Sequence, residues 1–135
     1  DRPLTGLSDA RICAAVLADP VAVPFPDQGL RSITTAHVQL WRPEEENILQ
    51  ARSHASRVVR ELNRRPEQAA VQEIVVPGAQ HYSFLAPLPP EVRAHLPGAL
   101  LRDNPGFDRA AFQRRFAGEV TGFFLESLGR CPDSR

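Results

Sequence analysis

Gln72-Glu73-Ile74-Val75-Val76-Pro77-Gly78-Ala79-Gln80-His81-Tyr82-Ser83-Phe84-Leu85 is the stretch that decides the fold. Its first five residues end in three β-branched side chains and stop at Pro77-Gly78, which reads as a strand closed by a tight turn. The turn then presents one imidazole, His81. Upstream, Arg11 to Ala18 reads R-I-C-A-A-V-L-A and is ended by Asp19-Pro20. A short continuous apolar run of this kind suits a strand buried on both faces, as in a parallel sheet. Val38-Gln39-Leu40-Trp41 is a further strand, ended by Pro43. Between it and the third strand, Ala51, Ala55, Val58, Val59 and Leu62 recur at helical spacing. Arg52, Ser56, Arg57, Arg60 and Glu61 fall on the other faces, and Asn63 to Pro66 stops the helix. Strands alternating with helices predict an α/β fold: a partial parallel sheet of about three strands with flanking helices.

The remaining segments fit around that unit. Residues 19–32 read as a loop held by Pro20, Pro24, Pro26 and Gly29. Residues 86–106 are rich in proline and read as an irregular excursion with one short helix near Glu91–His95. A long helix starts at Phe107, with Asp108 as N-cap and Phe107 and Phe112 spaced as a hydrophobic staple. Phe112, Phe116, Val120, Phe123 and Phe124 form its core face, and Gly129 supplies a stop. The chain is therefore expected to be a single domain, 1–135, with a strand–helix core over 10–85, the excursion over 86–106 and the final helix over 107–129. Three strands and two helices leave one sheet edge uncovered.

Composition narrows the function classes. Sixteen basic residues balance sixteen acidic ones, so no net field draws nucleic acid or an anionic membrane. No apolar stretch approaches the ~20 residues of a membrane span, and residues 1–10 show no signal pattern. Cys13 and Cys131 do not have metal-ligand spacing. Cys13 lies in an apolar run and is expected to be a small buried hydrophobe. Cys131 lies in a polar segment, and its spacing leaves free and paired states both open. No pair of histidines has metal-ligand spacing, and no phosphate-cradling glycine loop occurs, so neither metal nor cofactor is expected. His37, His54 and His95 read as surface or structural histidines.

In parallel sheets, ligand chemistry gathers at the carboxyl ends of the strands. Asp19 follows the first strand, Glu44-Glu45-Glu46 the second and His81 the third. A carboxylate beside a histidine fixes the ring tautomer and stabilises the imidazolium, so the histidine can carry a proton from a nucleophile to a leaving group. Glu46 is the expected acid, because Ile48-Leu49 after it can anchor the loop, and His81 is the expected base. A nucleophilic serine in such a sheet needs a Gly-x-Ser-x-Gly elbow, which does not occur. Gly6-Leu7-Ser8-Asp9-Ala10 is the nearest approach and lacks both the last glycine and a preceding strand, while Ser83 leads into Phe84-Leu85.

Four stretches carry a family resemblance. V-V-P-G-A-Q-H-Y-S-F-L-A-P resembles the histidine region of the dienelactone hydrolase-like and platelet-activating-factor-acetylhydrolase-like branch of the α/β-hydrolases. P-G-F-D-R-A-A-F-Q-R-R-F-A-G-E-V-T-G-F-F resembles that group's final helix, D-A-R-I-C-A-A-V-L-A-D-P its sixth strand, and V-Q-L-W-R-P-E-E-E its seventh strand and acid loop. The resemblance runs from about residue 9 to 128. It implies that this chain is equivalent to the C-terminal part of an α/β-hydrolase, with His81 as catalytic histidine and Glu46 where the family usually has aspartate. The implied activity is carboxylic ester or lactone hydrolysis. The implied partner is an N-terminal half, or a partner chain, that carries the serine nucleophile and the oxyanion hole. A second expectation, of a different class, is a non-catalytic binding or assembly module whose open sheet edge pairs with a partner or with another copy of itself.

Overall fold

Parallel pairing organises the molecule. The computed structural model describes residues 11–35, 37–44, 50–65, 70–85, 89–98 and 103–131. Its three strands, β1 (Ala14–Ala18), β2 (His37–Pro43) and β3 (Gln72–Val76), form one sheet in the order β1-β2-β3. Both pairings are parallel, with Ala14 opposite His37 and Ala18 opposite Trp41 on one side of β2, and Gln39 opposite Gln72 and Pro43 opposite Val76 on the other. Among the described residues four α-helices accompany the strands: α1 (Asp27–Arg31), α2 (Ala55–Leu62), α3 (Pro90–Arg93) and α4 (Arg109–Leu128). The expected β3 matches in full, whereas β1 starts three residues later than its apolar run. Residues 27–31 form α1 where the prolines predicted only loop.

Side chains alternate across the strands, so the sheet has two cores. On one face Leu17, Val38 and Leu40 pack with Ala22, Leu30 of α1, and Ala55, Val58 and Leu62 of α2. On the other, Val16, Trp41, Ile74 and Val76 pack with Phe84, Phe107, and Phe112 and Phe116 of α4. Trp41 is fully buried, with the edges of Phe116 and Phe112 at centroid distances of 5.0 and 6.4 Å. Its indole N–H donates to Gln39 Oε1 at 2.7 Å, and Gln39 Nε2 donates to Gln72 Oε1 at 3.0 Å. These bonds satisfy the polar groups that this face would otherwise bury unpaired.

α4 begins as expected. The Asp108 carboxylate accepts from the Ala111 amide at 2.9 Å, and the Phe107 and Phe112 rings lie 5.5 Å apart. Its far half is covered less: Val120, Phe123 and Phe124 are only half-buried, because the sheet beneath is three strands wide. Gly129 closes the helix in right-handed geometry (φ −66°), so its conformational freedom is not what stops the chain there. Immediately afterwards Cys131 forms a disulfide with Cys13, the residue before β1, with Cα atoms 6.0 Å apart. The expectation that Cys13 is a simple buried hydrophobe is corrected. Two cysteines 118 residues apart are brought together because α4 runs back along the sheet, from the end of β3 to the start of β1.

Glu61 also departs from the amphipathic reading of α2, which put it on the polar side. It is fully buried. Arg31 of α1 donates to it at 2.7 Å, Arg60 at 2.8 Å and Arg64 at 3.1 Å, so three guanidinium groups cover the carboxylate, and the one from Arg31 joins α1 to α2. Burial alone would raise its pKa. The hydrogen bonds from Arg31 and Arg60 and the charges of Arg31 and Arg64 outweigh burial and hold it at about 2, below the usual 4.5. A carboxylate held below its unfolded-state pKa contributes stability that is whole above that value and lost as pH falls toward the folded one. The chain is therefore expected to lose stability on acidification from about pH 4.5 to about pH 2. Glu61→Gln should flatten the urea-midpoint profile across that window and lower the midpoint at neutral pH. An unchanged profile would show that the cluster does not carry the acid response.

Candidate functional site

The parallel register delivers the carboxyl ends of all three strands to one edge of the sheet. At that edge β1 continues for one residue beyond Ala18: the Asp19 amide donates to the Trp41 carbonyl at 2.8 Å. Asp19 then takes a left-handed backbone conformation, φ 44°, the sole positive φ among the described non-glycine residues. Asp tolerates this region better than most residues, and Pro20 disfavours the right-handed alternative before it. The side chain is buried, 6% exposed.

β3 ends in the Pro77-Gly78 turn. Gly78 has φ 73°, a left-handed conformation that favours glycine, and it packs against the Phe107 ring just ahead of α4. A single 3₁₀ turn, His81–Phe84, follows. His81 opens it, and its Nδ1 lies 2.7 Å from Asp19 Oδ2. An ionised carboxylate only accepts, so Nδ1 donates and the neutral ring keeps the Nε2 lone pair for another partner. The His81 side chain remains 23% exposed, and its ring packs edge-on to Tyr82 at 4.9 Å. One end of the imidazole is thus fixed by a buried acid, and the ring still reaches solvent.

Of the two residues singled out from the sequence, His81 stands at the strand-end edge beside a carboxylate. Glu46 lies outside the described residues. The carboxylate that meets His81 is Asp19, which the sequence offers as a strand-end acid but not as the first choice. The legible signal was an aspartate directly after an apolar strand and directly before a proline. Ser83, next but one to His81, is fully buried and donates its hydroxyl hydrogen to Asp103 Oδ1 at 2.5 Å. That hydrogen is therefore committed to a carboxylate, and the hydroxyl is out of reach of a substrate. His54 and His95 are structural. His54 Nδ1 accepts from the Ala22 amide at 3.2 Å, and His95 Nδ1 is 2.7 Å from the Glu91 carbonyl. Among the described residues no group of three His, Cys, Asp or Glu side chains is arranged to hold a metal, and no helix is long and apolar enough to cross a membrane.

Arg57 of α2 braces the loop that follows Asp19. It donates to Asp27 Oδ1 at 2.8 Å and to the carbonyls of Ala22 and Phe25 at 2.9 and 2.6 Å. The acid is thus held on one side by the sheet ladder and on the other by a loop tied down to α2. Comparison of the chain with protein-family models, with curated proteins and with solved structures found no match.

A hydrogen bond to a charged group contributes about 1.5–3 kcal/mol net, toward the lower end for a ring that is partly in water. Asp19→Asn is expected to destabilise the fold by about that amount. His81→Gln should cost clearly less in the Asp19→Asn background than in the wild type. Purely additive effects in urea unfolding would show that the two side chains are not coupled.

Proposed function

We propose that this chain is the C-terminal part of a serine ester hydrolase of the α/β type, and that it supplies the acid and the histidine of a triad whose nucleophile lies elsewhere. The observation that carries the reading is the 2.7 Å contact between His81 Nδ1 and the buried Asp19 carboxylate at the strand-end edge of a parallel sheet. The left-handed backbone at Asp19 supports it, because conformations of this kind gather at functional sites. The family resemblance of the strand and helix stretches points the same way.

In this reading Asp19 keeps the proton on Nδ1, so His81 Nε2 takes the proton of the serine as its oxygen attacks the ester carbonyl. The new C–O bond makes a tetrahedral oxyanion, which the donors of an oxyanion hole stabilise. Collapse breaks the bond to the leaving alkoxide, which takes the proton back from His81. Water then repeats the sequence on the acyl-enzyme, with His81 again base and then acid. Serine and oxyanion donors come from an N-terminal half or a partner chain. Asp19 takes the orienting role that the sequence alone favoured for Glu46. The single Nδ1–H already has a carboxylate at bonding distance, and a second acid would have to displace it.

Without a nucleophile, an acid–histidine pair has nothing to activate. The pure chain is expected to hydrolyse p-nitrophenyl acetate no faster than its His81→Ala variant. Turnover well above that variant would overturn the division of the triad.

One observation favours the assembly reading. The residues flanking β1 expose large apolar side chains: Ile12 at 56%, Val21 at 49%, Val23 at 66% and Phe25 at 55%. β3 exposes Val75 at 39%, but it also carries Glu73, paired with Arg42 of β2 at 2.7 Å. Apolar flanks beside an open strand suit pairing, and charges on a strand oppose it. If a second copy covers β1, light scattering should give twice the monomer mass, and Val23→Lys with Phe25→Lys should return it to the monomer. A monomer at every concentration would rule this reading out.

A further inference from the structure

We infer that Ser83, Asp103 and Arg109 form a positioning unit that holds the imidazole of His81 on Asp19, an inference that rests on the proposed role of His81 as a triad histidine. His81 belongs to a 3₁₀ turn of four residues. So short a turn has little stability of its own, and outside ties must set its orientation. Those ties come from one segment, residues 103–113. Ser83 Oγ accepts from the Gln80 amide at 2.8 Å and donates to Asp103 Oδ1 at 2.5 Å. Arg109, in the first turn of α4, clasps Asp103 with two bonds, Nε to Oδ2 at 2.7 Å and Nη2 to Oδ1 at 3.0 Å. Gln80 Nε2 donates to Asn104 Oδ1 at 2.8 Å. Gln113 Nε2 donates to the Leu85 carbonyl at 2.9 Å and to the Ser83 carbonyl. The residue before His81 and the two bonded positions after it are therefore all fixed to the segment that starts α4.

The chemistry of the unit gives it a direction. Asp103, paired with a guanidinium, accepts only, so the single hydroxyl hydrogen of Ser83 goes to it. The Ser83 lone pairs are then left to receive the Gln80 N–H. Each group determines the next, from Arg109 through Asp103 and Ser83 to the backbone immediately before His81. Ser83 is fully buried, so loss of its partner would leave an unpaired polar group in the interior. The bond that this arrangement protects is short. A shift of the turn by about 1 Å would take His81 Nδ1 out of hydrogen-bond range of Asp19.

The test reads the His81 Nδ1 proton directly. A ring proton shared with a carboxylate and shielded from exchange resonates far downfield of the amide signals. The wild-type chain, with ¹⁵N-labelled histidine, is expected to show one such resonance that His81→Gln removes. Ser83→Ala and Asp103→Asn should each abolish it while the far-ultraviolet circular dichroism stays native. Asp108→Ala, which removes only the α4 N-cap, should lower thermal stability and keep the resonance. A resonance that persists in both Ser83→Ala and Asp103→Asn would overturn the inference while leaving the His81–Asp19 pair intact. Loss of the native circular dichroism in both would also overturn it, since a unit that only positions His81 leaves the sheet folded. Absence of the resonance from the wild type would overturn the acid–histidine pair itself.

Discussion

Everything at the candidate site depends on the parallel register of β1, β2 and β3. Strands that run the same way end on the same side, and β1 and β3 stand two strand spacings apart, about 10 Å. A carboxylate from one and an imidazole from the other meet only if both reach over the end of β2. Asp19 does so by adding one rung to the ladder, on the Trp41 carbonyl, before its backbone turns aside. His81 does so by way of the Gly78 turn and the 3₁₀ turn after it. β2 leaves between them, and the Glu44 amide still bonds the Val76 carbonyl at 3.1 Å.

Trp41 links this edge to the core. Its side chain packs edge-on against Phe112 and Phe116 in the aromatic cluster under α4, while its carbonyl anchors Asp19. The packing of α4 therefore bears on both members of the pair. It acts through Trp41 on the acid, and through Phe107 against Gly78 and the Asp103–Arg109 clasp on the histidine. On the opposite face, α2 holds the loop after Asp19 through Arg57 and binds α1 through Glu61. The two layers thus brace the two sides of one contact.

Much of the secondary structure was legible because local chemistry decided it. β3 is a β-branched run cut by proline and glycine, and α4 announces itself by Asp108 and the Phe107–Phe112 spacing. α1 was hidden because Pro24, Pro26 and Gly29 signal a loop. Tertiary contacts keep it helical: Leu30 is buried and Arg31 binds Glu61. Long-range partners were not legible. Nothing local joins Cys13 to Cys131, brings Arg31 to Glu61 from 30 residues away, or tells that the acid bonded to His81 comes from the end of β1 rather than from the strand beside it. The same holds for Asp103, whose partners Ser83 and Arg109 lie in different segments. Such pairings are properties of the folded topology, and the local pattern of residues does not contain them.

The Cys13–Cys131 bond has a geometric consequence. It brings the two sides of the described unit to within 6.0 Å of each other, at the start of β1. The Asp19–His81 contact lies at the other end of that strand, about 16 Å away for five residues of extended chain. The covalent closure and the acid–histidine contact therefore stand at opposite ends of β1, so the bond that ties α4 to the sheet leaves the strand-end edge clear of any crosslink.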